Sequence, residues 1–179
     1  MKRFILTGAP GAGKTVLLRV LEQQGHGVVE EAATDVIAVE QACGIAEPWK
    51  HPGFLDSIVT LQNQRLARAA QAADAVQFHD RSVLCTLALA RYLDIPPPSS
   101  LHSVIDRILR ERTFELTVFF IRGLGFVAPT AARRITFEES LRFERIHEQV
   151  YREHGFHLAH IQPAPVPDRV ARILRIIEK

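Results

Sequence analysis

The stretch that decides the fold is FILTGAPGAGKT, residues 4–15. Phe4 to Thr7 is a short apolar run that reads as a buried strand, and Lys14 to Gln24 reads as a helix stopped by Gly25 and Gly27. Between them Gly8-Ala9-Pro10-Gly11-Ala12-Gly13-Lys14-Thr15 fits G-x-x-x-x-G-K-[ST]. Glycines let backbone N–H groups curl round phosphate oxygens without a Cβ in the way. A helix that starts at the lysine turns its unpaired N–H groups and positive dipole end on the same anion. Lys14 is expected to be a solvent-facing charge that reaches the β and γ phosphates. The Thr15 hydroxyl is expected on Mg²⁺, which takes few protein ligands and keeps its waters. The alternative is an ordinary glycine-rich turn. The strand before the motif and the helix after it are the context that phosphate binding requires.

Working outward, strand and helix signals alternate along the whole chain. Val28–Glu30, Ala75–His79, Leu116–Ile121 and Phe156–Ile161 read as further strands. Thr34–Gln41, Phe54–Ala73, Ser82–Leu93, a segment capped by Ser99 or Ser100 and reaching about Arg112, and a segment from Thr136 to about Glu153 read as helices. Thr136 and Glu139 have the spacing of a capping box. Val170, Ile173, Leu174 and Ile177 form the stripe of a last amphipathic helix, and 44–53 and 123–135 read as loops. Such alternation predicts a five-stranded parallel sheet in a three-layer α/β/α sandwich, as one domain over 1–179.

Composition narrows the class. Of 179 residues 47% are hydrophobic and 23% charged, the balance of a soluble globular protein. A formal net charge of +2 argues against a protein that coats nucleic acid. Two cysteines, Cys43 and Cys85, build no disulfide framework, and the apolar run after Lys2-Arg3 is too short for a signal peptide or membrane span. A cytoplasmic protein with no nucleic-acid or membrane partner is expected.

Four further features carry candidate chemistry. Asp80-Arg81-Ser82 follows the third strand, where an acid beside the phosphate loop can hold Mg²⁺ or take a hydroxyl proton and an arginine can grip phosphate. The other reading is a pair that caps the next helix. His79 faces the opposite side and is expected buried and hydrogen-bonded. Of Glu30 and Glu31 at the second strand's end, at most one faces a site. Arg133 and Arg134 lie on a segment, about 123–136, expected to close as a lid over the phosphates, while Arg142 and Arg145 read as a solvated helix face. His154, His157 and His160 straddle a helix end and a strand, which points them in different directions. Trp49 either lines an acceptor pocket or covers the core edge.

The ordered set of FILTGAPGAGKT (4–15), VVEEAATDVI (28–37), VQFHDRSVLCTLALA (76–90) and the stretch from Phe137 to Leu174 resembles the AAA-type P-loop ATPase/kinase family that includes the nicotinamide riboside kinase domain of bacterial NAD regulators. Glu31 and Ala33 match that family's E-x-A-R, with Thr34 in the arginine position. Asp80, Arg81 and Ser82 match its D-R-[GS]-x-x-D-x-x-A-Y, with Cys85 at the second aspartate and the tyrosine displaced to Tyr92. Ala131-Ala132 stand where its lid usually has an aspartate. The resemblance implies a P-loop NTPase fold of nucleoside-kinase type with strand order 2-3-1-4-5. It also implies transfer of the γ-phosphoryl of ATP to a small acceptor, or an ATPase.

The expected function is therefore an ATP- and Mg²⁺-dependent phosphotransferase. Gly8, Ala9, Pro10, Gly11, Ala12, Gly13, Lys14 and Thr15 hold the nucleotide, and Thr15 and Asp80 hold the metal. Lys14, Asp80, Arg81 and Arg133 act on the phosphoryl group, while Glu31, Arg81 and Arg134 meet the acceptor. The alternative is a nucleotide switch whose hydrolysis changes the binding of a protein partner.

Overall fold

The computed structural model describes residues 1–8, 11–123 and 137–178. Strands β1 (Lys2–Thr7), β2 (Gly27–Val29), β3 (Val76–Asp80), β4 (Thr117–Ile121) and β5 (His157–Ile161) form one parallel sheet in the order β2-β3-β1-β4-β5. Helices α1 (Lys14–Gln23), α2 (Ala33–Ala42), α3 (Phe54–Ala69), α4 (Val83–Leu93), α5 (Ser99–Arg110), α6 (Phe137–Glu153) and α7 (Val166–Ile177) cover it. The expected architecture and strand order are both present.

The pleat explains how one sheet feeds two cores. Ile5 and Val118 point to one face and pack with Leu84, Leu87, Leu101, Ile105 and Tyr151 of α4, α5 and α6. Phe4, Leu6, Phe119 and Ile121 point to the other and pack with Leu17 and Leu21 of α1 and Val170 and Ile173 of α7. The two central strands are therefore apolar without alternation, as a strand buried on both faces must be. Burying each such side chain contributes about 1.5–3 kcal/mol.

Most boundaries differ from expectation by one or two residues and the end of α3 by four, and two of the differences have a visible cause. β3 extends through Asp80, because Asp80 pairs with Leu6 and the Arg81 N–H still donates to the Leu6 carbonyl at 2.9 Å. Helix α3 ends at Ala69 instead of Ala73, where the Gln77 amide takes the Ala69 carbonyl at 2.6 Å. Within the expected loop 44–53, Pro48–Lys50 forms one 3₁₀ turn. Ala9, Pro10, Arg133, Arg134, the Thr136 cap and all of the expected lid but Gly123 lie outside the described residues. Among the described residues no helix is long and apolar enough to cross a membrane.

Candidate functional site

At the carboxyl edge of the sheet, where β1 and β3 end side by side, a cavity of about 550 Å³ opens. Gly11, Gly13, Lys14 and Thr15 line one part of it. Gly8 is required by close approach, since a Cβ there would sit 2.2 Å from the Ile121 carbonyl oxygen. Gly13 has φ 82 and caps α1, so the first N–H groups of the helix open toward the cavity. Lys14 donates from Nζ to the Gly8 carbonyl at 3.2 Å.

The expectation of a solvent-facing Lys14 is corrected: the residue is 7% exposed. Burial first and the Arg81 charge second lower its pKa to about 8, against the opposing pull of Asp80 and Glu31. The ammonium is thus held in a place where a polyanion would favour its charged form.

Asp80, Arg81 and Glu31 also line the cavity. Ser82 does the capping that was the alternative reading of this stretch: its Oγ accepts from the Leu84 N–H at 3.3 Å. Asp80 and Arg81 are left to border the cavity. Arg81 adopts φ 71, a costly left-handed conformation for a side-chain-bearing residue and one that clusters at functional sites. Its Nε meets Glu31 Oε1 at 2.7 Å and its Nη1 meets His147 Nε2 at 3.2 Å. Burial works against the guanidinium charge, but Glu31 and its other neighbours outweigh that and hold the pKa above its ordinary value.

The two glutamates separate as expected. Glu30 turns outward to Arg19 at 2.7 Å. Glu31 turns inward, where its Oε2 accepts from Thr34 Oγ1 at 2.9 Å. Thr34, at the family's arginine position, therefore orients the carboxylate. Arg65 of α3 anchors this corner by donating to the Glu30 carbonyl at 3.1 Å, to the Glu31 carbonyl and to the Asp35 carboxylate.

The remainder of the cavity is largely apolar, formed by Ile37, Trp49, Phe54, Leu89, Tyr92, Leu93 and Phe143. Trp49 lines the cavity and also packs on the small core around Phe54. Within this apolar wall Thr86 Oγ1 donates to Gln62 Oε1 at 2.9 Å. Cys85, at the family's second aspartate position, also borders the cavity and joins a buried polar string. Its Sγ lies 3.2 Å from Thr7 Oγ1 and 3.1 Å from the Tyr151 hydroxyl, which lies 2.8 Å from Ser82 Oγ. Burial pushes the Tyr151 phenol well above its ordinary pKa.

Sequence reasoning missed His147, Arg65 and Tyr151. His147 is fully buried, its Nδ1 bonded to the Phe143 carbonyl at 2.9 Å, and burial lowers its pKa to about 3. A neutral ring with Nδ1–H given to that carbonyl leaves Nε2 to accept from Arg81. Its signal was present: Phe143, His147, Val150 and Tyr151 share one stripe of α6. His79 is buried as expected, but its Nε2 has no hydrogen-bond partner among the described residues and its pKa falls to about 3 through burial and Arg3. Arg142 and Arg145 are exposed, and Arg142 lies 5.4 Å from the Tyr92 ring. His154 ends α6 while His157 and His160 lie on β5.

A family model described as an AAA domain matches residues 3–169. No curated protein matches the chain in sequence. Among solved structures, deoxyadenosine kinase from M. mycoides, with the products dCMP and a flexible dCDP bound, superposes with a TM-score of 0.63 at 14% identity, covering 98% of both chains. The NadR protein in complex with NAD and AMP-PNP gives 0.69 at 16% identity, covering 99% of this chain and 49% of that one. Thymidylate kinase from Candida albicans gives 0.57 at 10% identity, covering 99% of this chain and 91% of that one. At such identities these likenesses speak for the fold.

Proposed function

From the premise that the chain belongs to this AAA domain family of P-loop proteins, we propose that it transfers the γ-phosphoryl group of ATP to a hydroxyl of a small, flat-ringed acceptor of nucleoside type, with Mg²⁺. The observation that carries this is the continuity of the cavity. The phosphate-loop residues, the Glu31–Arg81 pair and an aromatic wall border one space of about 550 Å³, in the size range of small-molecule sites. Kinase activity in the superposable proteins supports the same class of reaction.

In this proposal Gly8, Gly11, Gly13, Lys14 and Thr15 bind the triphosphate. A hydroxyl on Thr15 and a carboxylate on Asp80, both bordering the cavity, are the oxygen donors that suit Mg²⁺. The ion would neutralise charge on the phosphates. Glu31, held by Arg81 and Thr34, orients the acceptor hydroxyl, and Asp80 is the carboxylate on the metal side. As the acceptor oxygen bonds to Pγ, its proton passes to a carboxylate and the bond from Pγ to the β–γ bridging oxygen breaks, which releases ADP. Lys14 and Arg81 stabilise the charge that gathers on the equatorial oxygens. Arg133 and Arg134 would join them from the lid segment, and the whole chain, 1–179, would act as one cytoplasmic domain.

A panel of nucleosides, sugars and vitamins assayed for acceptor-stimulated ADP release tests the reading. Stimulation by a nucleoside or similar ring compound, lost in Lys14→Ala, is the expected result. ADP release that no acceptor raises but a protein partner does would establish the switch instead.

A further inference from the structure

Arg169 lies in the first turn of α7, far in sequence from the phosphate loop, yet its side chain ends against that loop. The residue is 3% exposed. Its Nη2 donates to the Ala12 carbonyl at 2.9 Å, and its Nη1 lies 3.3 Å from the place a Cβ on Gly13 would occupy. Among the described residues its Nε has no hydrogen-bond partner and no carboxylate pairs with the guanidinium. Arg81 supplies the contrast, as an arginine with a side chain 9% exposed that is matched with Glu31.

A buried cation without a counter-charge costs free energy, so its presence calls for an anion that the described residues do not supply. The geometry points to Arg169 as a positioning residue for nucleotide binding: by bonding the Ala12 carbonyl it polarises the Ala12–Gly13 peptide, strengthens the Gly13 N–H as a donor to phosphate, and adds positive charge behind the loop. The carbonyl and the N–H belong to one peptide unit. In a trans peptide they point in opposite directions, so a donor held on the carbonyl from the α7 side faces the N–H away from Arg169. Gly13 itself borders the cavity. Hydrogen bonds in series reinforce one another, and a charged donor on the first link is the strongest form of that effect. The inference rests on the reading that this loop binds a triphosphate, and it adds α7 to the nucleotide site.

The test measures the melting temperature of the full-length protein alone, and its affinity for AMP-PNP with Mg²⁺ and for inorganic tripolyphosphate, in the wild type, Arg169→Met and Arg169→Lys. Arg169→Met should melt at or above the wild-type temperature when unliganded, because it removes an unmatched cation and keeps the apolar stem. It should bind both probes about tenfold more weakly, the scale of one lost charge-assisted hydrogen bond. Arg169→Lys should recover part of that affinity. In turnover the change should appear in the KM for ATP and leave kcat nearly constant. If Arg169→Met fails to fold, or melts well below wild type with unchanged affinity, the arginine is a structural tie and the proposal is overturned. If the wild type itself binds neither probe, the phosphate-loop reading fails and takes the proposal with it; if the wild type binds and Arg169→Met binds equally well, this proposal alone fails.

Discussion

The phosphate-loop part of the cavity and the part built by α3, α4 and α6 achieve their geometry by different means. Residues 11–15 are consecutive and are shaped by backbone: positive φ at Gly11 and Gly13, a helix N-terminus, and one lysine folded back on the Gly8 carbonyl. The rest is assembled from side chains distant in sequence. Arg81 is held by Glu31 across 50 positions and by His147 across 66, and Tyr151 ties Ser82 and Cys85 to α6. A backbone cradle is general for phosphate, whereas a side-chain wall can be rebuilt for one acceptor. The chain keeps every position of the loop pattern, while Thr34 and Cys85 of the side-chain wall depart from the motifs of the family it resembles.

Substitutions should divide along that line. The largest effect is expected from Lys14→Ala, with transfer reduced roughly a thousandfold. Because the buried ammonium already titrates near 8, removing it should leave the unliganded melting temperature unchanged or raised. A large loss of stability would show that Lys14 holds the loop together instead of the phosphate.

Next is Asp80→Asn, which preserves shape and removes charge. A fall in kcat of about a hundredfold with modest change in ATP affinity is expected, the pattern of an interaction made mainly in the transition state. Steady-state kinetics over ATP and acceptor decide it; normal specific activity with a lower melting temperature would reduce Asp80 to a structural role.

Arg81→Lys should cost roughly tenfold to a hundredfold in kcat/KM for the acceptor, because a point charge cannot serve Glu31 and His147 together. Equal losses for every acceptor, or none, would separate Arg81 from acceptor placement.

The smallest effect is one of pH. Lys14 has a pKa lowered to about 8, and bound phosphate favours its protonated form. Binding therefore takes up a proton around and above pH 8, and affinity falls as pH rises. Between pH 7 and 9 the loss should be about tenfold, and titration calorimetry in buffers of different ionisation enthalpy should show the proton uptake. Affinity constant over that range would contradict the placement of the ammonium.

The same division governed what could be read from sequence. The sheet was legible because each strand is an apolar run between helices, its order was implied by the family resemblance, and the loop was legible because its determinants are adjacent. Asp80 and Arg81 were singled out by their place at a strand's end, and both line the cavity. The separation of Glu30 from Glu31 was expected from strand alternation, but β2 ends at Val29 and the contacts of Glu31 with Arg81 and Thr34 set its direction. The burial of Lys14 was not legible, since Arg81, Asp80 and Glu31 close round it only in three dimensions. His147 and Arg169 stood on the apolar stripes of α6 and α7, where a polar residue among Val and Ile is the trace of a buried contact. Their partners, Arg81 and Ala12, lie 66 and 157 positions away, and no local pattern names them.

On the proposed function one cavity holds both the phosphoryl donor and its acceptor. The direct measurement follows the label from γ-phosphoryl-labelled ATP in the presence of the acceptor that most stimulates ADP release. Label should appear in a phosphorylated acceptor in large excess over inorganic phosphate, with both products lost in Lys14→Ala. Label recovered only as inorganic phosphate, whatever acceptor is supplied, would contradict it.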